Sequence, residues 1–256
     1  RGCDRLVLPR GDPAVKAAEY RRMFAVEDRQ WWYVGMREIS RSMLGTAVTS
    51  EVGWALDAGC GTGQNLRWLG PRAVGVDRAM EALHLSRSRG VRVAGGELES
   101  LPFASGVFDL VTSFDVLYHE WVRDDRAAVA ELVRVLRPGG LLFVRVPAFS
   151  WLRGAHDEEV LTRHRYTAPE LRALLASAGL EVVRDSYCNS LLLPLLMARR
   201  AVDRVLRRQG SDVGFLPAPL EWAFLRALRL EAWWLRRSRL PLGVSVAALA
   251  RRPTGT

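Results

Sequence analysis

The residues best suited to chemistry lie in one stretch, Ala55-Leu56-Asp57-Ala58-Gly59-Cys60-Gly61-Thr62-Gly63, with Asp77 following twenty residues after Asp57. An apolar segment of strand character runs straight into a glycine-rich turn. Glycine lets the backbone fold tightly and lets a ligand approach without a Cβ in the way. A helix opening after the turn would present unpaired N–H groups. A carboxylate that closes the next strand accepts hydrogen bonds from both hydroxyls of a ribose. A nicotinamide dinucleotide fingerprint would need glycines at 59, 61 and 64, but position 64 is Gln64 and the third glycine is Gly63. This spacing disfavours a pyrophosphate cradle and suits a nucleoside without phosphate, such as adenosine joined to methionine. The competing reading is a tight strand-to-helix turn that binds nothing.

Two further places carry acid–base side chains. His119 stands just past a strand-like segment, with Tyr118 beside it, where an imidazole could take a proton from an acceptor. The plainer alternative is that His119 opens or caps the following loop. The second place is HDEEVLTRHRY, which crowds His156, Asp157, His164, Arg165 and Tyr166 into eleven residues. A His156–Asp157 pair would make a base and its orienter; a salt-bridged surface loop is the alternative. The histidine spacing does not match a helical two-histidine metal motif, and the expectation is no metal.

These groups need a scaffold. From Gly53 to Pro147 the strand-like segments WALDAG, RAVGVD, VRVAG, FDLVTSF and GLLFVRVP alternate with helical stretches near 64–69, 79–88 and 124–136. That succession predicts a parallel sheet with right-handed crossovers, and Pro138-Gly139-Gly140 is expected to end the last helix and turn into the fifth strand. Before it, residues 1–50 read as one or two helices, with Pro13 placed to open the first. After it, Thr167, Pro169 and Glu170 have capping-box spacing, and Gly179 stops that helix. LEVVRDSY and VSVAALA read as strands, with two helices near 191–208 and 218–236 between them.

The five segments ALDAGCGTG (55–63), GVD (75–77), GELESLPF (96–103), FDLVTSFDVLYH (108–119) and LVRVLRPGGLLFVRVP (132–147) resemble, in order and spacing, the class I S-adenosylmethionine-dependent methyltransferase family. The resemblance covers roughly residues 50–187. It implies a Rossmann-like α/β fold with a mostly parallel seven-stranded sheet and helices on both faces. Residues 1–50 would be a helical cap or lid, 51–256 the methyltransferase domain, and 188–240 a two-helix insertion before the last strand. By position, Asp57, Gly59, Cys60, Gly61 and Gly63 fall around the methionine part of the cofactor, and Asp77, followed by Arg78, at the ribose. Glu97, where many relatives have aspartate, and Leu98 fall beside the adenine. Backbone at Ser113 and Phe114 would face the amino group. Trp31-Trp32-Tyr33 resembles a lid segment of one branch of the family, with Arg37 set to pair with the cofactor carboxylate; simple packing of the aromatics is equally open. The implied activity is methyl transfer from S-adenosylmethionine to a small molecule: a natural product, sugar or lipid-linked intermediate. A nucleic-acid acceptor is disfavoured, because Asp115-Val-Leu-Tyr stands where base-methylating enzymes carry an Asn/Asp-Pro-Pro-aromatic signature. A non-catalytic cofactor-binding scaffold is the rival of another class.

A chain of 256 residues, 49% apolar and 25% charged, fits one large globular domain with additions. Cys3, Cys60 and Cys188 lie far apart, without metal or disulfide spacing, and no charged-then-apolar signal segment opens the chain; the expectation is a reducing, cytoplasmic setting. Charge is unevenly placed. Twelve arginines stand against four carboxylates between Met197 and Arg252, most of the formal +9. Within this region Pro219 to Arg237 is apolar around most of a helix, with a stripe of arginines. The candidate partners for so greasy a helix are the sheet, a second copy of the chain, a lipophilic acceptor and an anionic membrane surface.

Overall fold

Five apolar runs, each bounded by turn or loop residues and alternating with helical stretches, fold as parallel strands. The computed structural model describes residues 17–45, 53–154, 157–158, 160–206 and 216–255. Pro13 and His156 therefore lie outside the described residues. Helices α1 (Ala17–Val26) and α2 (Trp31–Leu44) precede β1 (Ala55–Ala58), α3 (Leu66–Leu69), β2 (Ala73–Asp77), α4 (Met80–Ser88) and β3 (Arg92–Gly95). Then come β4 (Phe108–Phe114), α5 (Asp125–Val135), β5 (Leu136–Pro147), α6 (Ala168–Ser177), β6 (Glu181–Cys188), α7 (Leu193–Leu206), α8 (Ala218–Trp234) and β7 (Ser245–Arg251).

The strands make one seven-stranded sheet in the order β3-β2-β1-β4-β5-β7-β6. Strands β1 to β5 pair in parallel, and β7 runs antiparallel between β5 and β6. Strand order reverses between β1 and β4, so a crevice opens beyond their C-terminal ends. Successive strand residues face opposite sides, and two cores result. Leu56, Val111, Val144 and Ala248 join Leu132 of α5 and Leu171 of α6 on one face. Ala55, Leu110, Phe143 and Leu249 join Met36 of α2, Leu66 of α3 and Leu228 of α8 on the other. The α/β architecture with helices on both faces is as the sequence implies.

Two local expectations need correction. The stretch after the glycine turn is a single helical turn, Leu66–Leu69, ended by Gly70 at φ +122. Gly63 at φ +77 and the short-range bonds from Leu66 N to Gly63 O and from Trp68 N to Asn65 O keep 61–65 in turns. A helix this short carries almost no dipole, which agrees with a ligand lacking phosphate. Pro138-Gly139-Gly140 does not precede β5 but lies inside it, in a bulge between the pairs Phe108–Leu136 and Leu110–Leu141. Gly139 takes φ +78 there, and its N–H reaches the carbonyl of Arg252 at 2.8 Å. The Thr167 capping box forms as its spacing indicates. Among the described residues, no helix is long and apolar enough to cross a membrane.

Helices α2 and α8 cross at Gly35, where an added Cβ would stand 2.3 Å from Leu228 Cδ1 and 2.7 Å from Leu228 Cβ. Gly35→Ala is expected to destabilise the protein by about 1–2 kcal/mol, overpacking outweighing the helix-propensity gain. Combined with Leu228→Ala, the effects should be non-additive by on the order of 1 kcal/mol in urea unfolding. Simple additivity would show that the helices do not meet there.

Candidate functional site

The glycine turn is stitched to the neighbouring strand. Gly59 and Cys60 donate to the carbonyl of Val76 at 2.8 and 2.9 Å, and the Gly61 N–H reaches Asp77 Oδ2 at 2.8 Å. The second Asp77 oxygen accepts from Ala79 N at 2.9 Å. Gly59 and Gly61 adopt φ +81 and +54. A Cβ at Gly59 would strike Val116 Cγ2 at 2.3 Å, so a larger residue there would also displace the wall formed after β4. Burial raises the Asp77 carboxyl, and the Ala79 and Gly61 amides oppose the rise. Each of its oxygens retains a lone pair for a further donor.

In front of this turn lies a cavity of about 480 Å³, within the range of small-molecule sites. Of the residues singled out in the sequence, Trp32, Tyr33, Arg37, Gly59, Cys60, Gly61, Asp77, Arg78, Glu97, Leu98, Phe114, Tyr118, His119 and Asp157 line it. Asp57, Gly63 and Ser113 do not: they sit behind the wall, with Asp57 and Ser113 fully buried. Gly63 faces the other way, against Ser86 and Val91. Glu97 lies 3.8 Å from Arg78, whose guanidinium stands over the Trp121 ring.

The helical cap closes one side. Arg37 donates one N–H to the Glu27 carbonyl at 2.8 Å, and burial lowers its pKa. Trp31 packs edge-on against Trp32 and Phe224, with ring centroids 5.7 and 5.0 Å apart, and its N–H donates to Glu221 of α8 at 3.0 Å. The aromatic cluster thus packs on α8 and forms cavity wall at the same time.

Beyond the cradle the cavity passes Tyr118 and His119. His119 is sandwiched between the Tyr118 and Trp121 rings, with centroids 4.0 and 3.7 Å away, and its Nδ1 is 2.7 Å from the carbonyl of Val160. A carbonyl only accepts, so Nδ1 carries a hydrogen. Burial pushes the Tyr118 phenol up, keeping it protonated.

A family model described as a methyltransferase domain matches residues 56–144. Malonyl-[acyl-carrier protein] O-methyltransferase from Serratia marcescens is 35% identical over 198 residues, 75% of this chain and 69% of that protein. A Mycolicibacterium smegmatis protein named "Probable S-adenosylmethionine-dependent methyltransferase" is 34% identical over 134 residues, 50% of this chain and 51% of that relative. The chain belongs to the class I S-adenosylmethionine-dependent methyltransferase family. It spans about half the length of the Mycolicibacterium protein and of a Streptomyces fradiae relative. In fold it is similar to the methyltransferase bound to the Trm112 activator of Haloferax volcanii, with TM-score 0.62, 20% identity and 93% and 96% of the two chains covered. The [4+2]-cyclase SpnF has the same fold, with TM-score 0.55, 21% identity and 88% and 83% coverage.

The histidine-rich loop has a structural logic. Asp157 and Arg165 are both buried and joined as a fork, Nε to Oδ1 at 2.7 Å and Nη2 to Oδ2 at 3.0 Å. Asp157 Oδ2 also accepts from Gly154 N at 2.7 Å, so both carboxylate oxygens are engaged within the loop, while His156 lies outside the described residues. His164 lies 4.0 Å from Glu170, away from the cavity, and Tyr166 bonds Asp125 at 2.5 Å. The loop's backbone pairs with the segment after β4: Arg163 N donates to Tyr118 O, and Glu120 N to Leu161 O. Its role in the architecture is to hold His119 in the wall.

Four site residues escaped sequence reading. Glu27 accepts from Thr62 Oγ1 and, at 2.7 Å, from Arg89, pinning the cap to the glycine turn. Arg145 forks to Asp115 and donates to Met36 O at 3.1 Å and Ser40 Oγ at 2.8 Å. Burial pulls the Arg145 guanidinium down, and the Asp115 carboxylate more than offsets it. Asn189 lines the cavity with a buried Oδ1 lacking a partner. Asp115 and Asn189 take φ +57 and +58; an Asp or Asn directly after a strand segment, the residue types that most readily adopt such φ, is the signal the sequence carries. Asp57 gives a pH-dependent handle: burial pushes its carboxyl up to about 7 against the Thr112 hydrogen bond, and the Oδ2 atom has no partner. A carboxyl raised on folding binds its proton more tightly in the native state, so this contribution is full near pH 4 and is lost as pH rises to about 7. Asp57→Asn should therefore gain on the wild type across that window, by at most about 1.4 kcal/mol per pH unit. Parallel urea-unfolding stabilities from pH 4 to 8 would disprove it.

Proposed function

We propose that this protein binds S-adenosylmethionine in the cradle of Gly59, Gly61 and Asp77 and methylates a small molecule held in the same cavity. The observation that carries the reading is the continuity of that cavity. It runs from the glycine turn past His119 to a roof of Leu192, Leu195 and Leu196, with Asn189 and Arg145 as polar wall. The residues present fit the cofactor: a turn without side chains toward the ligand, a buried carboxylate for ribose hydroxyls, and Arg37 with donors left for a carboxylate. Glu97 and Leu98 would flank the adenine, and Trp32 and Tyr33 would exclude water from the other end. The absence of a strong helix dipole at the turn agrees with a cofactor that brings no phosphate.

When bound, S-adenosylmethionine supplies a methyl group already activated on a sulfonium. The chain's task is then to orient the acceptor, an effect worth about 7–11 kcal/mol in favourable cases. His119 takes the acceptor's proton at Nε2, with Nδ1 held by Val160 and the ring fixed between Tyr118 and Trp121. The apolar roof and few polar anchors suit an acceptor with a substantial apolar part: a natural product, or a sugar or lipid-linked intermediate. A relative named for malonyl on acyl-carrier protein makes carrier-bound carboxylates worth including in a screen.

Calorimetry with S-adenosylhomocysteine tests the cradle. Asp77→Ala should weaken binding about 10- to 100-fold, the worth of charge-assisted hydrogen bonds of about 1.5–3 kcal/mol; no binding by the wild type would remove the proposal. Tight binding without methyl transfer to any screened acceptor would instead favour a scaffold. With an acceptor found, His119→Ala should lower kcat about 10²- to 10⁴-fold with little change in KM. An unchanged kcat would leave His119 as wall only.

A further inference from the structure

Helix α8 turns its carboxylates inward and its tryptophans outward. Glu231 is 1% exposed and accepts from the backbone N–H groups of Asn189, Ser190 and Leu191, and Glu221 accepts from Trp31 N and Leu216 N. The opposite face carries Trp222 (63% exposed), Leu230 (57%), Trp233 (55%) and Trp234 (51%). Interleaved with them are Arg226, Arg229 and, in the turn that follows, Arg236 and Arg237, all exposed. At 100° per residue these positions share one contiguous arc, and no acidic residue falls within it. Arg226 stacks over Trp222 at 5.1 Å, and Arg229 is paired with Glu38.

From this face we infer that α8 seats the protein on an anionic lipid bilayer. Indole and guanidinium groups both favour the headgroup boundary, where the rings bury and the charges meet lipid phosphate. A second copy of the chain is the poorer occupant, because a two-fold interface would bring this net basic face against itself. Nucleic acid would satisfy the arginines but leave an aliphatic Leu230 and three tryptophans without an apolar layer to enter. The inference does not rest on methyl transfer. It does place the cavity beside the lipid, since Phe224 of the same helix and the half-exposed Leu195 both line it.

Co-sedimentation of the full chain with vesicles tests the seat. The protein should pellet with 1:1 phosphatidylglycerol–phosphatidylcholine vesicles at low salt, stay in solution with phosphatidylcholine alone, and be released at high salt. Replacing Arg226, Arg236 and Arg237 together by Gln should reduce partitioning about 100-fold, at the usual contribution per arginine near an anionic surface. Trp222→Ser with Trp233→Ser should also weaken it. The same charge removed elsewhere, at Arg72, Arg87 and Arg126, should leave partitioning within about threefold, with all variants checked for native circular dichroism. Failure to pellet at low salt overturns the inference. So does equal loss in both arginine triples, a dimer in light scattering that the Trp222/Trp233 variant dissociates, or binding to duplex DNA in preference to vesicles.

Discussion

The hydrogen bond from the Gly61 amide to Asp77 Oδ2 is the constraint from which the site follows. It joins the turn after β1 to the end of β2, two neighbouring strands, and so fixes where the floor of the cavity lies. The turn reaches Asp77 only because Gly59 and Gly61 take positive φ, which side chains would resist. Asp77 in turn is tolerable in a buried position because two amides meet its oxygens. The same two bonds hold both oxygens in place for a further donor. Remove the carboxylate and the turn loses its anchor, and the cavity floor an acceptor.

Around this floor the walls are fastened by buried ions rather than by apolar contact alone. Glu27 with Thr62 and Arg89 ties the cap to the turn. Arg145 ties the cap to β4 and β5, and Asp157 with Arg165 ties the loop after β5 to the carbonyl of Ala148. Leaving one partner of such a buried pair uncompensated costs about 3–5 kcal/mol. Geometry is thereby held more stiffly than greasy surfaces would hold it, which suits a site whose main task is alignment.

What was legible in the sequence was whatever is local. The glycine turn, Asp77 at its distance from Asp57, and the Thr167–Glu170 box each declare themselves within a few residues or one strand–helix repeat. Illegible were partners separated along the chain: Thr62 and Glu27 are 35 residues apart, Arg145 and Ser40 are 105, and Asn189 and Glu231 are 42. No periodicity marks a lone charged residue for a particular distant oxygen. Pro138-Gly139-Gly140 misled for a related reason. Proline and glycine signal a break in local structure, but here the β7 neighbour and the Phe108 register absorb the break as a bulge. Arg165, eight residues beyond Asp157, is a further buried partner that adjacency in the chain does not announce.

The division between shared and particular chemistry follows the same boundary. The stretch matching the methyltransferase domain, 56–144, contains the glycine turn, Asp77, Glu97 and His119. The rest of the cavity comes from outside it: Trp31 and Arg37 before, Asp157, Asn189, Leu195 and Phe224 after. A [4+2]-cyclase with this fold illustrates that the sheet itself does not dictate the reaction. The cavity wall outside the sheet is thus built by the cap, the loop around Asp157 and helices α7 and α8. The cap and the turn before α7 meet at α8, which carries Phe224 into the cavity, Glu231 onto that turn, and Leu228 against Gly35 of the cap.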